Sequence, residues 1–185
     1  SGRKPAFLFL WNNGRDDFMA LFRPTAVRRG LTDLTPEFLS GLGVRALLLD
    51  VDNTVASYTS HQPIPGAVEW AGRMVEAGFR VLIVSNNFKK RVEPFAAKFG
   101  LGCISFAMKP LPFGYLKARS LLKMKCRECA IIGDQIFTDV IGANLCGMKS
   151  VLLSPIEEEE GFTFRVRRHF EKGLRRKFEN RRDIS

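Results

Sequence analysis

The chain has 185 residues, of which 45% are apolar, and its formal net charge is +10. The apolar content excludes a wholly disordered chain and favours one domain with an additional segment. No apolar run approaches the roughly 20 residues that span a bilayer, and the first residues lack a secretory signal pattern, so we expect a cytoplasmic protein. The charge excludes little, because nucleic acid, anionic membranes and phosphorylated substrates all attract a basic protein.

Residues 1–20 are assigned to an N-terminal extension, which contains the apolar run Phe7–Trp11. Three interpretations of this run stay open: that it packs on the core, that it anchors the chain to a membrane, or that it is not native. Five short apolar runs follow. Each predicts a strand that is buried on both faces, as strands of parallel sheets are. These runs are Arg45–Leu49, Arg80–Val84, Cys103–Phe106, Ala130–Gly133 and Ser150–Leu153.

Helical segments are predicted between these strands, and several of them end at a glycine. They are Pro65–Ala77, Arg91–Phe99, Pro112–Met124 and Thr138–Cys146. Pro94 is expected in the first turn of its helix, where a missing N–H is tolerated. The alternation of strands and helices predicts a Rossmann-like three-layer α/β sandwich with a mainly parallel sheet over residues 21–156.

Residues 157–185 combine an acidic hinge, Glu157–Glu160, with a basic tail. From Gly161 onward the tail has nine basic and three acidic side chains, so it holds over half of the surplus charge. An apolar residue recurs every four positions within it, which predicts a helix with one narrow apolar stripe. Such a helix packs on the sheet domain, lies on an anionic membrane or binds RNA.

The four cysteines do not predict a disulfide scaffold in a chain of this length. Cys126 and Cys129 have the spacing of half a zinc knuckle, but the chain has no second such pair and only two histidines, His61 and His169. We therefore favour reduced thiols beside a strand over a metal site. His61 is interpreted as an exposed loop residue near the mouth of the site.

Polar residues follow four consecutive predicted strands, namely Asp50, Ser85, Lys109 and Asp134. Ligands of open α/β sheets bind beyond the carboxyl ends of the strands, so we expect these residues in one site. Asp52 and Asp139 add two further carboxylates. Unit like charges about 4 Å apart repel by about 4 kcal/mol at an effective dielectric of about 20. The cluster therefore requires a cation, and Mg²⁺ suits carboxylate oxygens and a substrate phosphate.

Four motifs in order resemble the haloacid dehalogenase (HAD) superfamily of phosphatases. They are Asp50-Val51-Asp52-Asn53-Thr54, Ser85 at the end of a strand, Lys109, and Gly133-Asp134 followed five residues later by Asp139. The resemblance implies that Asp50 is the nucleophile and that Asp52 is the general acid and base. It also implies that Asp50, the backbone carbonyl of Asp52 and Asp134 hold Mg²⁺, supported by Asp139.

The same resemblance implies a phosphoryl-binding set, consisting of Thr54, Ser85, Asn86, Asn87 and Lys109. The segments between the motifs are short, which indicates a capless member with an open site. A narrower resemblance, from about Leu21 to Leu174, is to the YqeG family of HAD subclass IIIA, which is related to phosphatidylglycerophosphate phosphatases.

We therefore expect a Mg²⁺-dependent phosphatase of phosphatidylglycerophosphate, in peripheral contact with the inner face of an anionic membrane through the tail. A phosphatase of soluble sugar or nucleotide phosphates is the first alternative. The second is a basic nucleic-acid-associated protein on a HAD scaffold. Asp52 argues against the second, because a binding module has no use for a general acid.

Overall fold

A computed structural model describes residues 19–57 and 62–157. The predictions made for the N-terminal apolar run, for His61 and for the basic tail lie outside these residues. None of the described helices combines the length and hydrophobicity that a bilayer-spanning segment requires.

Six parallel strands form one sheet, and the order across it is β1-β6-β5-β2-β3-β4. The strands are β1 (Ala26–Arg28), β2 (Ala46–Leu49), β3 (Arg80–Val84), β4 (Gly102–Ile104), β5 (Cys129–Gly133) and β6 (Lys149–Leu153). All five predicted strands are present, with bounds that differ by up to two residues. The edge strand β1 was not predicted, because three residues with one buried side chain give no hydrophobic run.

Five α-helices that lie wholly within the described residues connect the strands. They are α1 (Pro36–Gly41), α2 (Ala67–Glu76), α3 (Lys89–Lys98), α4 (Pro112–Leu121) and α5 (Ile141–Cys146). A π-helical stretch, Ile136–Val140, leads directly into α5. The prediction for α3 was wrong at its start, since the helix begins two residues earlier and Pro94 lies beyond its first turn. Pro94 is exposed, so water can satisfy the carbonyl that loses its helical partner.

Helices cover both faces of the sheet, and the predicted three-layer architecture is confirmed. On one face, Trp70 of α2 and Phe95 of α3 belong to the same buried cluster as Leu49 of β2. On the other face, Tyr115 of α4 is buried in a cluster with Leu48 of the same strand. The two faces of β2 therefore belong to two different cores, which fixes the strand that precedes Asp50.

The edge of the sheet where the strands end carries no inserted domain among the described residues. Between β2 and β3 these residues hold one helix, α2, and between β3 and β4 they hold α3. This arrangement agrees with the predicted capless architecture.

Candidate active site

Buried polar residues follow three neighbouring strands at one edge of the sheet. Asp50 follows β2 and is 5% exposed, Ser85 follows β3 and is 1% exposed, and Asp134 follows β5 and is fully buried. Since β2 lies between β5 and β3, Asp50 stands between the other two. Its amide extends the sheet by donating to the Ile132 carbonyl at 3.0 Å. The sheet thus brings these predicted site residues to one place.

Lys109 lies between two carboxylates of this site. Its Nζ is 2.6 Å from Asp50 Oδ1 and 2.7 Å from Asp139 Oδ1. Burial opposes the charged form, but Asp139 and Asp50 outweigh burial, so the Lys109 pKa is raised. The Gln135 amide donates to Asp139 Oδ2 at 3.1 Å and orients that carboxylate. Lys109 is therefore a fixed ammonium group that ties the nucleophile candidate to Asp139.

Asp50, Asp134 and Asp139 form a buried acidic cluster, in which one oxygen of each residue lies within 4.8 Å of the others. Burial raises the pKa of Asp50 to about 8, against the lowering effect of Lys109, and the two other carboxylates raise it further. Three carboxylates face one ammonium group, so negative charge is in excess when all are ionised. Buried oxygen donors with this excess charge fit a small divalent cation such as Mg²⁺.

The side chain of Asp52 is not part of this acidic cluster. Its Oδ1 lies 2.7 Å from Arg91 Nη2, and the Asn87 side-chain amide donates to its Oδ2. The metal role that the resemblance implies for Asp52 belongs to its backbone carbonyl and stays a prediction. The side chain is instead directed to the N-terminal part of α3, where Arg91 lies.

A tight turn follows the nucleophile candidate. The Val51 carbonyl accepts hydrogen bonds from the amides of Thr54, Val55 and Ala56 at 3.3, 3.0 and 3.0 Å. Asn53 adopts a left-handed conformation with φ 55°, which asparagine tolerates better than most residues. Thr54 is buried, and its hydroxyl oxygen has no hydrogen-bond partner among the described residues. Its role in phosphoryl binding stays a prediction.

The Ser85-Asn86-Asn87 segment connects the site residues to one another. The Ser85 hydroxyl accepts from the Asn87 amide at 3.1 Å. The Asn86 side chain accepts from the Lys109 amide at 2.7 Å and donates to the Lys109 carbonyl at 3.0 Å. Asn86 thus positions the Lys109 backbone, and Asn87 positions Asp52. The predicted substrate contacts of both residues are not tested by these bonds.

Glycine is required at position 133 because of the packing around Asp139. A Cβ built on Gly133 would lie 2.3 Å from Asp139 Oδ2 and 2.4 Å from its Cγ. Any larger residue would therefore displace the carboxylate that binds Lys109. This contact explains physically why glycine precedes Asp134.

A cavity of about 500 Å³ is bordered by Asn87 and Arg91, which bind Asp52. Its lining combines apolar and basic side chains with the two residues that bind Asp52. The lining residues are Val51, Asn87, Phe88, Lys90, Arg91, Val92, Pro94, Phe95 and Lys98. A leaving group with negative charge and an apolar part suits such walls, and it would lie next to Asp52.

Two participants were not assigned from the sequence. Arg91 was used only to mark a helix start, and no sequence pattern links it to Asp52, which lies 39 positions away. The basic run Lys89-Lys90-Arg91 directly after the second motif was the available signal. Gly133 was quoted as part of a motif, but its contact with Asp139 depends on the fold of the π-helical stretch.

The cysteine pair does not form a metal centre with other side chains in the described part of the chain, where only the aspartate cluster groups three or more potential ligands. Cys129 is buried, and its thiol donates to the Lys125 carbonyl at 3.4 Å. Neither cysteine forms a disulfide, and the preference for reduced thiols over a metal site stays a prediction.

An open parallel sheet with an acidic cluster and a buried lysine at its carboxyl edge defines a hydrolase site for phosphoryl transfer. The family model of the haloacid dehalogenase-like hydrolases matches residues 10–147. The chain belongs to this family, and with its motif residues in place it is a phosphatase.

The chain is similar to two curated proteins. It is 34% identical over 153 residues to "Probable phosphatase YqeG" of Bacillus subtilis strain 168, covering 83% of this chain and 89% of that protein. It is 25% identical over 117 residues to "Glyceraldehyde 3-phosphate phosphatase" of Pyrococcus abyssi, covering 58% of this chain and 48% of that protein. This chain thus matches about half the length of the second relative.

Solved structures support the fold. A crystal structure of an uncharacterized protein from Listeria monocytogenes serotype 4b superimposes with a TM-score of 0.51 at 16% identity. The match covers 64% of this chain and 85% of that chain. At this identity the likeness bears on the fold alone.

Proposed function

We propose that the protein is a Mg²⁺-dependent phosphatase that hydrolyses phosphatidylglycerophosphate to phosphatidylglycerol through an aspartyl-phosphate on Asp50. One observation carries the substrate assignment: the basic and apolar cavity lies beside the residue that would protonate the leaving group. The leaving group of this substrate has a phosphodiester anion and acyl chains. Lys90 and Arg91 suit the anion, and Phe88 with Phe95 suits the apolar part.

The chemistry uses two carboxylates in different surroundings. A carboxylate oxygen of Asp50 attacks phosphorus, the bond from phosphorus to the glycerol oxygen breaks, and Asp52 gives that oxygen a proton. Water then attacks the aspartyl-phosphate while Asp52 takes a proton from it. Inorganic phosphate leaves, and Asp50 returns as a carboxylate. Lys109 keeps Asp50 oriented, because its Nζ is 2.6 Å from Asp50 Oδ1.

The acidic cluster provides the donors for the cation. Asp50 and Asp134 would hold Mg²⁺ together with the Asp52 carbonyl, and Asp139 supports them through Lys109. A bound cation supplies positive charge that offsets the repulsion between the carboxylates and a phosphate dianion. Burial, and after it the neighbouring carboxylates, raise the pKa of Asp50, and a bound cation would favour its ionised form.

A phosphatase of soluble metabolites is the second candidate, and the similarity to a glyceraldehyde 3-phosphate phosphatase favours it. The open edge of the sheet would admit small substrates as well as large ones. Binding to nucleic acid receives no support from the site, because Asp50, Asp52 and Lys109 serve hydrolysis. A lipid substrate would also require the enzyme to work at a membrane surface on the cytoplasmic side.

Phosphate release decides between the two phosphatases. Phosphatidylglycerophosphate in mixed micelles is compared with glyceraldehyde 3-phosphate, sugar phosphates and nucleoside monophosphates, each with Mg²⁺ and after chelation. We expect the lipid to give the highest kcat/KM and chelation to abolish turnover. Asp50→Asn is the blank that excludes a contaminating phosphatase. Brisk turnover of a soluble phosphate without lipid turnover would overturn the lipid assignment.

A further inference from the structure

Exposed apolar side chains lie on the loop after the second motif, on the loop that carries Lys109 and at the start of α4. Phe88 is 73% exposed, Phe106 60%, Met108 41%, Leu111 49% and Phe113 62%. We call these five residues the apolar rim. Phe88 and Phe106 are in ring contact, and the other three follow within seven residues of Phe106. Clustered exposed apolar side chains mark an interaction surface, whereas single ones are normal on a protein surface.

The rim is held in place by the backbone of the site itself. The Phe106 amide donates to the Asn87 carbonyl at 2.8 Å, and the Ala107 amide donates to the Ser85 carbonyl at 3.0 Å. The rings of Phe88 and Phe106 stack with centroids 5.9 Å apart and an interplanar angle of 17°. Whatever binds the rim is therefore brought to the mouth of the site.

The charge of the same two loops specifies the partner. Segments 85–91 and 105–113 contain no acidic residue, and their surface cations are Lys89, Lys90 and Arg91. Lys109 is buried between Asp50 and Asp139 and does not belong to this surface. Lys89 pairs with the exposed Glu93, and Arg91 pairs with Asp52. Apolar side chains flanked by cations complement an anionic lipid surface, in which the rings enter the headgroup region and the cations meet phosphates. A symmetric contact between two copies would instead oppose one set of cations with another.

We propose that the apolar rim docks the enzyme on an anionic lipid surface, with the mouth of the site facing the bilayer. The reason for docking rests on the proposed function, because a lipid substrate must reach Asp50 from the membrane. The docking surface itself is argued from the exposure and charge of residues 85–113. It is separate from the basic tail, which lies outside the described residues.

Vesicle binding of the full chain tests this proposal. The double variant Phe106→Ser with Phe113→Ser removes two rings that do not line the cavity. Its control is Val75→Ser with Leu121→Ser, which removes two apolar side chains that are 48% and 58% exposed and lie near the C-terminal ends of helices α2 and α4. Co-sedimentation uses phosphatidylglycerol–phosphatidylcholine vesicles and pure phosphatidylcholine vesicles. All three proteins keep the basic tail, so differences in vesicle binding between them arise from the replaced apolar side chains.

We expect the rim variant to bind anionic vesicles at least about tenfold more weakly than the wild type, since each buried ring contributes to partitioning. Turnover of p-nitrophenyl phosphate should stay within about twofold for both variants, since neither removes a group that handles the phosphoryl. Unchanged vesicle binding of a folded rim variant would overturn the proposal. A wild-type dimer that the rim variant splits, measured by light scattering, would overturn it in favour of a second copy.

A second measurement covers the case in which the double variant does not fold. Phe113→Trp adds one tryptophan to those of the wild type. When anionic vesicles are added, the fluorescence emission of this added tryptophan should shift to shorter wavelength. An unchanged emission spectrum would count against docking. Failure of the proposed function is distinguishable from failure of docking. Rim-dependent vesicle binding without lipid turnover would support the docking surface and reject the substrate.

Discussion

Arg91 Nη2 lies 2.7 Å from Asp52 Oδ1, so the general acid candidate is paired with a cation that also lines the cavity. A leaving group that carries a negative charge of its own would contact the same guanidinium. Arg91 therefore connects the group that moves the proton with the group that would recognise the substrate.

The Arg91→Met variant separates these two roles when three substrates are compared. An anionic leaving group depends on Arg91 for binding and on Asp52 for a proton, a neutral alkyl leaving group depends only on Asp52, and p-nitrophenolate needs neither. We expect kcat/KM to fall by about tenfold or more for the anionic leaving group, because hydrogen bonds between charged groups are the strong ones. The fall should be smaller for the alkyl phosphate and smallest for p-nitrophenyl phosphate.

Lys89→Met is the matched control for this experiment. Lys89 precedes Arg91 on α3 but pairs with Glu93 at 3.3 Å and does not line the cavity. Its loss should leave all three substrates within about twofold, as exposed pairs contribute little. An equal fall in kcat/KM for all three substrates in Arg91→Met would show that Arg91 does not recognise the leaving group.

Asp52→Asn tests the proton donor. An asparagine keeps the shape and can still accept from Arg91, but it cannot give a proton to the leaving oxygen. We expect kcat for alkyl phosphates to fall by about 10²- to 10⁴-fold. The loss should be much smaller for p-nitrophenyl phosphate, whose leaving group is stable as an anion. An equal loss for both substrates would contradict the role of Asp52 as general acid.

Gly133→Ala tests the packing that holds Asp139. The new methyl group would overlap the Asp139 carboxylate, which then has to leave its place beside Lys109. We expect a loss of stability of about 1–3 kcal/mol from overpacking together with a large fall in kcat. Thermal unfolding and turnover are measured on the same samples. Gly72→Ala on α2 is the control, since nothing lies within 4 Å of its new Cβ.

The strongly hydrophobic strands of the fold could be predicted from the sequence, while its less regular elements could not. Runs such as Arg80–Val84 are buried on both faces, so hydrophobicity alone identifies them. Strand β1 has one buried side chain, and helix α1 has six residues, of which only Leu39 is buried. The start of α3 was placed two residues too late, and Pro94, which was therefore expected in its first turn, lies beyond that turn.

In the site, residues at strand ends could be predicted because the parallel sheet itself brings them together. Asp50, Ser85 and Asp134 follow adjacent strands, and their meeting requires no side-chain detail. The Arg91 contact depends on where α3 begins and which way its first turn faces. The pairing of the Asn86 side chain with the Lys109 backbone was not predicted either, while the expected substrate contact of Asn86 stays a prediction. Such choices among polar partners are made by loop geometry.

The pH dependence of stability can be tested at two buried or half-buried thiols, those of Cys129 and Cys146. Burial, aided by nearby Cys126, raises the pKa of Cys129 to about 11 and that of Cys146 to about 12. In the unfolded chain both thiols ionise near the ordinary cysteine pKa of 9.0. The unfolded state then loses protons first, so the free energy of unfolding falls as the pH rises from 9 towards 12. Below pH 9 both states hold the protons, and the thiols give no slope.

Urea unfolding of the wild type and of Cys129→Ala with Cys146→Ala, in reductant at several pH values, measures this slope. At pH 7 the double variant should be less stable, because it loses packing on one face of the sheet. The difference should shrink between pH 9 and 11, since the wild type alone bears the cost of keeping buried thiols protonated. Tyrosine and lysine ionisation affects both proteins equally and cancels in the difference. A stability difference that stays constant from pH 7 to 11 would show that neither thiol resists ionisation in the folded state.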